Sequence, residues 1–310
     1  MDLKKSLKKG IEFIRNPYYR YWVLAGKGIY DSMPDEEYLR RMWKDFFGTE
    51  LNLDNPQTLC EKLQWMKLYY RRPEMTALAD KYQAKKIVDK IIGKGHTIPT
   101  LGVWNHFDDI DFSTLPERFV LKLTHNSGGM VICKDKSKFD KRTAKKKLEK
   151  ELKRNYFYGG REWQYKNIKP RIIAEPYISK LGKKDSIEYK TTCFDGKVGF
   201  VTICKGIAHT DLDLRSNDHF DSQFNKLNWW TYYKPAKVTP SKPEQWDELI
   251  AFCEKLATGF PYSRIDTYII NGKIIFGEMT FTTWSGHMKF DPPEWDMKLG
   301  NMLKLPERTC

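Results

Sequence analysis

The sequence predicts an α+β fold in which a helical N-terminal region precedes a series of antiparallel hairpins. Two turn dipeptides indicate the hairpins. Asn271-Gly272 and Asp195-Gly196 each separate runs of β-branched and aromatic residues, which is the sequence pattern of a β-hairpin. Residues 34–70 indicate the helical region, because their large apolar side chains recur at helical spacing.

Length and composition indicate a folded globular protein. The chain has 310 residues and a hydrophobic fraction of 40%, which is enough to build a core and too apolar for a disordered chain. The six cysteines form no C-x-x-C pair and no zinc spacing, so we expect reduced cysteines and no structural zinc. No apolar run could span a bilayer and no signal peptide is recognisable, which predicts a cytoplasmic protein.

The formal net charge of +14 implies acidic partners, such as phosphates, uronic-acid polymers, an anionic membrane or nucleic acid. The charge is spread along the chain without a zinc-finger or RNA-binding signature, so we do not expect a nucleic-acid partner. Near the N terminus, Leu3, Leu7, Ile11 and Ile14 follow helical spacing with lysines between them. This basic amphipathic helix either contacts the inner membrane surface peripherally or docks on the rest of the protein.

The C-terminal hairpin carries the polar residues that we select as the candidate chemical site: Arg264, Asp266, Glu278 and Thr280. Their relative placement depends on the turn, because a register shift of one residue moves a side chain to the other face. A strict two-residue turn would put Asp266 and Glu278 on opposite faces. We predict instead a three-residue loop, 270–272, that ends with Gly272 left-handed in a bulge. That register puts Asp266, Glu278 and Thr280 on one face.

Two carboxylates and a hydroxyl on one face would form a hard, oxygen-only site. Such a site suits Mg²⁺, which substrate phosphates would also hold. The alternative is a solvated hairpin whose charges have no common role.

A lysine strand, a glycine-rich loop and a returning strand are predicted over residues 118–133. Lys122 lies at the end of the first strand and supplies a point charge for a phosphate. Small loop residues let backbone N–H groups approach phosphate oxygens. These residues are Ser127, Gly128 and Gly129. His125 in the same loop either reaches the γ-phosphate or substrate, or is bonded locally.

The motifs R-I-D at 264–266 and E-M-T at 278–280, followed by Ser285-Gly286, resemble the C-terminal signature of the ATP-grasp superfamily. In that signature, R-x-D and E-x-N strands carry the Mg²⁺ ions of the nucleotide. The sequence more closely resembles the TupA-like ATP-grasp family of bacterial polysaccharide clusters, over about residues 63–305. Thr280 stands where the wider superfamily has asparagine.

The resemblance implies an ATP-grasp fold, in which the nucleotide lies between two antiparallel sheets. It divides the chain into a helical N-terminal region (1–75), a segment that precedes the ATP-grasp domain (76–115), and the ATP-grasp domain itself (116–310). A polar, aromatic-rich insertion at 207–238 is the kind of long loop that often holds substrate.

The resemblance also implies roles for individual residues. Lys122 binds the α/β-phosphates, Lys190 is a second phosphate lysine, and Lys81 approaches the phosphates from the start of a helix. The adenine pocket consists of Glu175, Tyr177 and Ile178, with the Glu175 carboxylate on the ribose hydroxyls. Arg264 stabilises the tetrahedral intermediate, while Mg²⁺ is held by Asp266, Glu278 and Thr280.

The activity implied is ATP- and Mg²⁺-dependent ligation of a carboxylate to an amine through an acyl phosphate. The substrates expected are a uronic acid and an amino acid or amino alcohol, in capsule, O-antigen or cell-wall polymer synthesis. The reverse polarity, an amino acid joined to an amino sugar, fits equally well. A glycan kinase and a non-catalytic nucleotide-binding scaffold are the alternatives. The sequence contains no Walker A motif, dinucleotide fingerprint or nucleophile elbow.

Overall fold

The computed structural model describes residues 3–179, 181, 186–207 and 212–309, without the side chains of residues 3–8 and 213. Helices occupy most of the chain before the first strand, and further helices flank the sheets. The helices are α1 (Leu3–Arg15), α2 (Pro17–Gly26), α3 (Asp35–Phe47), α4 (Leu59–Tyr69), α5 (Pro73–Ala79), α6 (Gln83–Ile91), α7 (Lys141–Leu152), α8 (Phe157–Gly160), α9 (Trp246–Ala257) and α10 (Glu294–Met302).

The predicted hairpins are present, and together with further strands they form two antiparallel sheets. They are β1 (Gly102–Trp104), β2 (Phe119–Leu123), β3 (Met130–Cys133), β4 (Ile172–Pro176), β5 (Ile187–Phe194), β6 (Lys197–Lys205), β7 (Ser216–Phe220), β8 (Lys226–Leu227), β9 (Tyr262–Ile270) and β10 (Lys273–Thr280). The predicted α+β class with a helical N-terminal region is therefore confirmed.

The N-terminal amphipathic segment is helical, as predicted, and forms α1. Its described apolar residues Ile11 and Ile14 are 46% and 73% exposed, so they do not contribute to the core. Contact of this helix with a membrane surface stays a prediction. In the part of the chain that the structure describes, no helix combines the length and the apolarity needed to cross a bilayer.

The small sheet has the strand order β1-β4-β2-β3. Its buried side chains, which include Phe119, Leu121 and Ile172, pack with Leu148 of α7 in a separate hydrophobic cluster. Helix α7 begins where its sequence predicts, because the Asp140 carboxylate accepts the Thr143 N–H at 3.0 Å and caps the first turn. The opposite face of the sheet carries Lys122 and Glu175 together with the buried Val120 and Ile173.

The large sheet has the strand order β10-β9-β5-β6-β7-β8. Helix α9 covers one face of it, with Trp246, Leu249 and Cys253 fully buried in the main hydrophobic cluster. The N-terminal helices α3 and α4 join the same cluster. The face of the sheet away from α9 carries Lys190 and Asp266, which lie opposite each other on β5 and β9.

The predicted insertion at 207–238 is not simply a long loop, because it contributes β7 and β8 to the large sheet. The segment S-N-D-H-F has little intrinsic strand preference, and its pairing with β6 decides its conformation. No Asn-Gly or Asp-Gly dipeptide separates β7 from β8, so the strongest hairpin signal is missing from this segment.

A backbone connection joins the segment before β1 to the large sheet. The Phe276 N–H donates to the His96 carbonyl at 2.7 Å, and Thr97 forms a parallel bridge with Phe276. This connection fixes the start of the small-sheet region beside β10, so that polar residues from both sheets can face each other.

Candidate functional site

Arg264, Asp266, Glu278 and Thr280 share one face of the C-terminal hairpin. Asp266 lies opposite Glu278 and Arg264 lies opposite Thr280, and directly opposed residues of antiparallel strands point to the same side. These residues therefore share one face, as predicted, although the irregularity that produces this register lies within the strand and not in the turn.

The predicted three-residue loop with a bulge at Gly272 is wrong. Lys273 pairs with Ile270, so the turn has two residues, and both Asn271 (φ 53°) and Gly272 (φ 75°) are left-handed. Two left-handed residues define a type I′ turn, whose twist matches the twist of the flanking strands.

The extra residue lies instead at Gly277, where the register shifts between Phe276 and Glu278. This bulge brings Glu278 opposite Asp266, which a regular ladder from the two-residue turn would not do. A Cβ atom at residue 277 would lie 3.0 Å from the Asp266 carbonyl oxygen and 3.1 Å from the Tyr268 ring. The bulge therefore favours glycine at this position.

Asp266 is the centre of a buried charge cluster. Arg264 donates to its carboxylate through Nε at 2.6 Å and Nη2 at 2.8 Å, and Lys190 donates through Nζ at 2.5 Å. Burial would raise the pKa of Asp266, but Arg264 and Lys190 outweigh it and hold the pKa below its ordinary value. Lys190 also pairs with Glu188 at 2.8 Å. Asp266 is thus ionised, and its carboxylate is held in one orientation by three hydrogen bonds.

Glu278 and Thr280 complete the oxygen set. The Glu278 side chain is 39% exposed, and Arg264 Nη2 lies 3.5 Å from its Oε1 and 3.3 Å from Thr280 Oγ1. No group of three or more His, Cys, Asp or Glu side chains suited to a metal occurs among the described residues. Two carboxylates and a hydroxyl are hard ligands, so they fit a Mg²⁺ ion that phosphates and water complete.

The small sheet presents a second charge cluster, centred on Glu175. Its carboxylate lies 2.6 Å from Lys122 Nζ and 2.5 Å from Lys85 Nζ. Burial would raise the pKa of Glu175, but the two lysines hold it below its ordinary value. The structure thus joins Glu175 to the predicted phosphate lysine. Tyr177 and Ile178 follow directly at the end of β4 and are half-buried.

Lys85 was missed in the sequence, although a signal was present. It follows Lys81 by four residues, and in the helix that the sequence predicts from Asp80 that spacing puts both on one face. The observed α6 begins at Gln83, so it contains only Lys85. Lys85 also donates to Thr100 Oγ1 at 3.0 Å. Lys85 thus adds a further positive charge beside Glu175, next to the predicted phosphate lysine.

Lys81 lies at the junction between the two sheets. Its N–H donates to the Thr124 carbonyl at 3.1 Å, and its Nζ donates to the Asn126 carbonyl in the glycine-rich loop. Burial lowers the pKa of Lys81, and its charged neighbours include Glu278 from the large sheet and Glu175 from the small sheet. Lys81 therefore contacts the predicted phosphate loop and feels the charge of Glu278, one of the candidate metal ligands.

The loop residues differ in exposure. Ser127 and Gly128 are exposed, Gly128 adopts a left-handed φ of 109°, and Gly129 is buried with its N–H directed at Asn126 Oδ1 (3.3 Å). The exposed pair leaves backbone at the surface of the loop, as a phosphate-covering loop requires.

His125 does not share this exposure, since it is 1% exposed. Burial lowers its pKa, and the backbone carbonyls of Glu151 and Arg154 at the end of α7 oppose the shift. No contact among the described residues joins His125 to Lys122 or Arg264. The structure thus buries His125 and leaves it without contact to the other two candidate catalytic residues among the described residues.

A second group on the large sheet was missed by sequence reasoning. His219 of β7 lies opposite Thr202 of β6, and Thr202 Oγ1 is 2.9 Å from His219 Nδ1. The Trp229 ring stacks on His219 with centroids 3.5 Å apart and planes at 6°. Both rings are buried, at 3% and 4% exposure. The residues come from three segments, so only the sheet register reveals their contact.

We expect His219 to make the protein sensitive to acid. Burial lowers the pKa of His219 from 6.5 to about 3. As the pH falls from 6.5 towards 3, the unfolded chain binds a proton at this residue while the native protein does not, so stability decreases. Between pH 7 and pH 4 this residue accounts for a loss of about 3 kcal/mol.

Urea denaturation of His219→Asn at both pH values should show a correspondingly smaller acid loss than the original protein. His106→Asn, at an exposed histidine, is the matched control. If His219→Asn and His106→Asn lose the same stability in acid, the buried neutral state of His219 is wrong.

The two antiparallel sheets, with lysines and acids facing each other between them, are the architecture of an ATP-grasp protein. A family model described as TupA-like ATPgrasp matches residues 61–304. The chain therefore belongs to the TupA-like ATP-grasp family, and the predicted fold and family are confirmed. No match was found among curated proteins.

Solved structures show a distant likeness of fold. D-alanine–D-alanine ligase from Bacillus anthracis, complexed with ATP, is 17% identical, with 66% of this chain and 54% of that chain covered and a TM-score of 0.38. The Helicobacter pylori D-alanine–D-alanine ligase is 16% identical, with 82% and 68% covered and a TM-score of 0.43. The ATP-grasp ligase PsnB, with a precursor variant, Mg and ADP, is 10% identical, with 78% and 65% covered and a TM-score of 0.41. The match thus spans about half of the first ligase.

Proposed function

We propose that this protein is an ATP- and Mg²⁺-dependent carboxylate–amine ligase that forms an amide on a sugar during bacterial polysaccharide synthesis. The observation that carries the proposal is the cluster of Asp266, Glu278 and Arg264 on one sheet face, which Lys81 links to the glycine-rich loop. Membership of the TupA-like family supports the same activity. The resemblance to polysaccharide-cluster proteins supports the sugar.

The chain supplies charged groups on both sides of the proposed phosphate site: lysines on one side and metal-binding acids on the other. Lys122, Lys85 and Lys81 stand on the small-sheet side, where they would hold the phosphates of ATP. Asp266 and Glu278, with Thr280, would hold Mg²⁺, which when bound neutralises phosphate charge. Glu175 keeps Lys122 and Lys85 in place, and the same residue lies one position before the strand end at which Tyr177 and Ile178 would receive the adenine.

Arg264 is suited to hold the acyl group. Its Nε and Nη2 are engaged by Asp266, Glu278 and Thr280, whereas Nη1 has no partner among the described residues. A carboxylate oxygen of the substrate would attack the γ-phosphorus, releasing ADP. The amine nitrogen would then attack the acyl carbon, lose a proton and displace phosphate. Nη1 would stabilise the oxyanion of that second step.

The test is ADP release with Mg·ATP against a matrix of uronic acids crossed with amino acids and amino alcohols. We expect release only when one carboxylate and one amine are both present. Release with a sugar alone would support a glycan kinase instead. If Mg·ATP neither stabilises the protein thermally nor is turned over, the nucleotide site itself is refuted.

A further inference from the structure

A cavity opens on the large sheet beside Arg264, on the same face as the candidate metal ligands. The strand register defines its floor. Lys190 lies opposite Thr202, and Thr202 lies opposite His219, so this row continues the Asp266–Lys190 pair across the sheet. The cavity therefore begins at the reacting groups and extends towards β7.

The floor of this cavity contains polar atoms that lack partners. His219 Nε2 and Trp229 Nε1 are buried, and neither atom makes a hydrogen bond with any described residue. Leaving such groups unsatisfied costs about 1–3 kcal/mol each. The indole N–H can only donate, and Thr202 fixes the orientation of the imidazole. Both residues line the cavity, so a ligand that enters it brings oxygen atoms next to these two unpaired groups.

The charged donor left for an anion in the described lining is Arg264 Nη1, because Lys190 and the rest of the Arg264 guanidinium already pair with carboxylates. Among the described residues, the charged side chains that line the cavity are Lys190 and Arg264, and no carboxylate lines it. The cavity volume of about 40 Å³ has room for about three water-sized groups, enough for a carboxylate and one hydroxyl but too little for a whole sugar ring. The ring of a larger substrate must therefore stand towards the mouth.

Aromatic side chains border that mouth. Trp284 lines the cavity, is 46% exposed and lies with its ring centroid 4.4 Å from that of Tyr232, which is 45% exposed. Trp284 and Ser285 both have left-handed φ angles, 49° and 54°. Non-glycine residues in this conformation are strained and are concentrated at ligand clamps and active sites. A flat aromatic surface suits the C–H face of a sugar ring.

We propose that this cavity binds a sugar acid, with its carboxylate at Arg264, one ring hydroxyl beside Trp229 and His219, and the ring face against Trp284 at the mouth. This proposal rests on the proposed ligase function and adds which of the two substrates supplies the carboxylate. The sugar is the partner that carries the activated carboxylate, and the amine arrives from outside the cavity.

The binding test uses the full chain with Mg²⁺ and a non-hydrolysable ATP analogue, and again without nucleotide. Saturation-transfer NMR compares methyl glucuronoside with two matched probes: methyl glucoside, which lacks the carboxylate, and cyclohexanecarboxylate, which lacks the hydroxyls. We expect binding of the glucuronoside to exceed that of both. Equal binding of the three probes, or preferential binding of an amino acid, would overturn the proposal.

Two substitutions locate the binding. Trp284→Ala at the mouth and Trp229→Phe at the floor should each weaken glucuronoside binding by about tenfold. Trp22→Ala is the matched control, because Trp22 is 40% exposed on α2 and does not line the cavity. Unchanged glucuronoside binding in both cavity variants would refute the site.

Thermal stabilisation by Mg·ATP separates this proposal from the ligase proposal. If Mg·ATP stabilises the protein but glucuronoside does not bind, the sugar-acid site is wrong and the nucleotide site stands. If glucuronoside binds at the cavity while Mg·ATP has no effect, the ligase function fails and the sugar-acid site stands.

Discussion

We expect Glu278→Gln to reduce ADP release by about 10²- to 10³-fold while leaving the fold intact. Glu278 is partly exposed, and its nearest charged contact is Arg264 Nη2 at 3.5 Å. The amide keeps the shape of the side chain but removes the charge that would hold Mg²⁺. Stability should therefore change by less than about 0.5 kcal/mol, measured by urea denaturation, while activity is lost.

Asp266→Asn should lose both activity and stability, unlike Glu278→Gln. Asp266 is fully buried between Arg264 and Lys190, so neutralising it leaves two buried cations without their shared partner. Breaking a buried ion pair costs about 3–5 kcal/mol. Glu248→Gln, at an exposed glutamate on α9, controls for loss of a negative charge elsewhere. Full activity in Glu278→Gln would exclude Glu278 as a metal ligand.

Local turn chemistry was enough to predict two hairpins of the large sheet, β5–β6 and β9–β10, because Asp195-Gly196 and Asn271-Gly272 adopt left-handed conformations that few other residues tolerate. Binary patterning was likewise enough for the N-terminal helix α1 and for α3 and α4 within residues 34–70. These features depend on residues close together in the chain, so the sequence specifies them directly.

The register of the C-terminal hairpin shows the limit of this reasoning. We predicted that Asp266 and Glu278 share one face but assigned the extra residue to the turn, whereas it lies at Gly277 and makes the two acids direct partners. A glycine within a strand is a recognised bulge signal, so the correct solution was available. The requirement that two acids share one face predicted that the hairpin contains an extra residue, but it did not show that this residue is Gly277.

The cavity beside Arg264 could not have been found from the sequence. His219 meets Trp229 only because β7 pairs with β6, and β7 itself owes its conformation to that pairing. Non-local contacts of this kind override local preference. Buried polar atoms without partners become visible only once the packing is known.

The N-terminal helices also reach the site, through Lys67 of α4. Its Nζ donates to the Ser285 carbonyl at 2.7 Å, to Ser285 Oγ at 2.8 Å and to Gln64 Oε1 at 3.0 Å. Lys67 is 2% exposed, and burial lowers its pKa to about 8 while Glu162 opposes the shift. The left-handed pair at Trp284 and Ser285 is thus held in place by a buried cation from another part of the chain.

We expect Lys67→Met to lower the free energy of unfolding by about 3–5 kcal/mol, because Glu162 loses its buried cation and the Ser285 oxygens lose a donor. ADP release should fall by about 10²-fold under conditions in which the variant is folded, since Trp284 is then released from its position. Urea denaturation and ADP release measure the two effects separately. Ser285→Ala, which removes only the Oγ contact, should show a smaller loss of both.

Lys62→Met is the matched control for this prediction. Lys62 lies on the same helix and also donates to backbone carbonyls, those of Gly300 at 2.8 Å and Leu303 at 2.9 Å, but it does not contact the 282–286 segment. Its removal should cost about 1 kcal/mol of stability per lost hydrogen bond and leave activity unchanged. If Lys62→Met and Lys67→Met lose activity in proportion to stability alone, α4 supports the fold and does not position the site. A loss of activity specific to Lys67→Met would instead make the helical region part of the catalytic architecture.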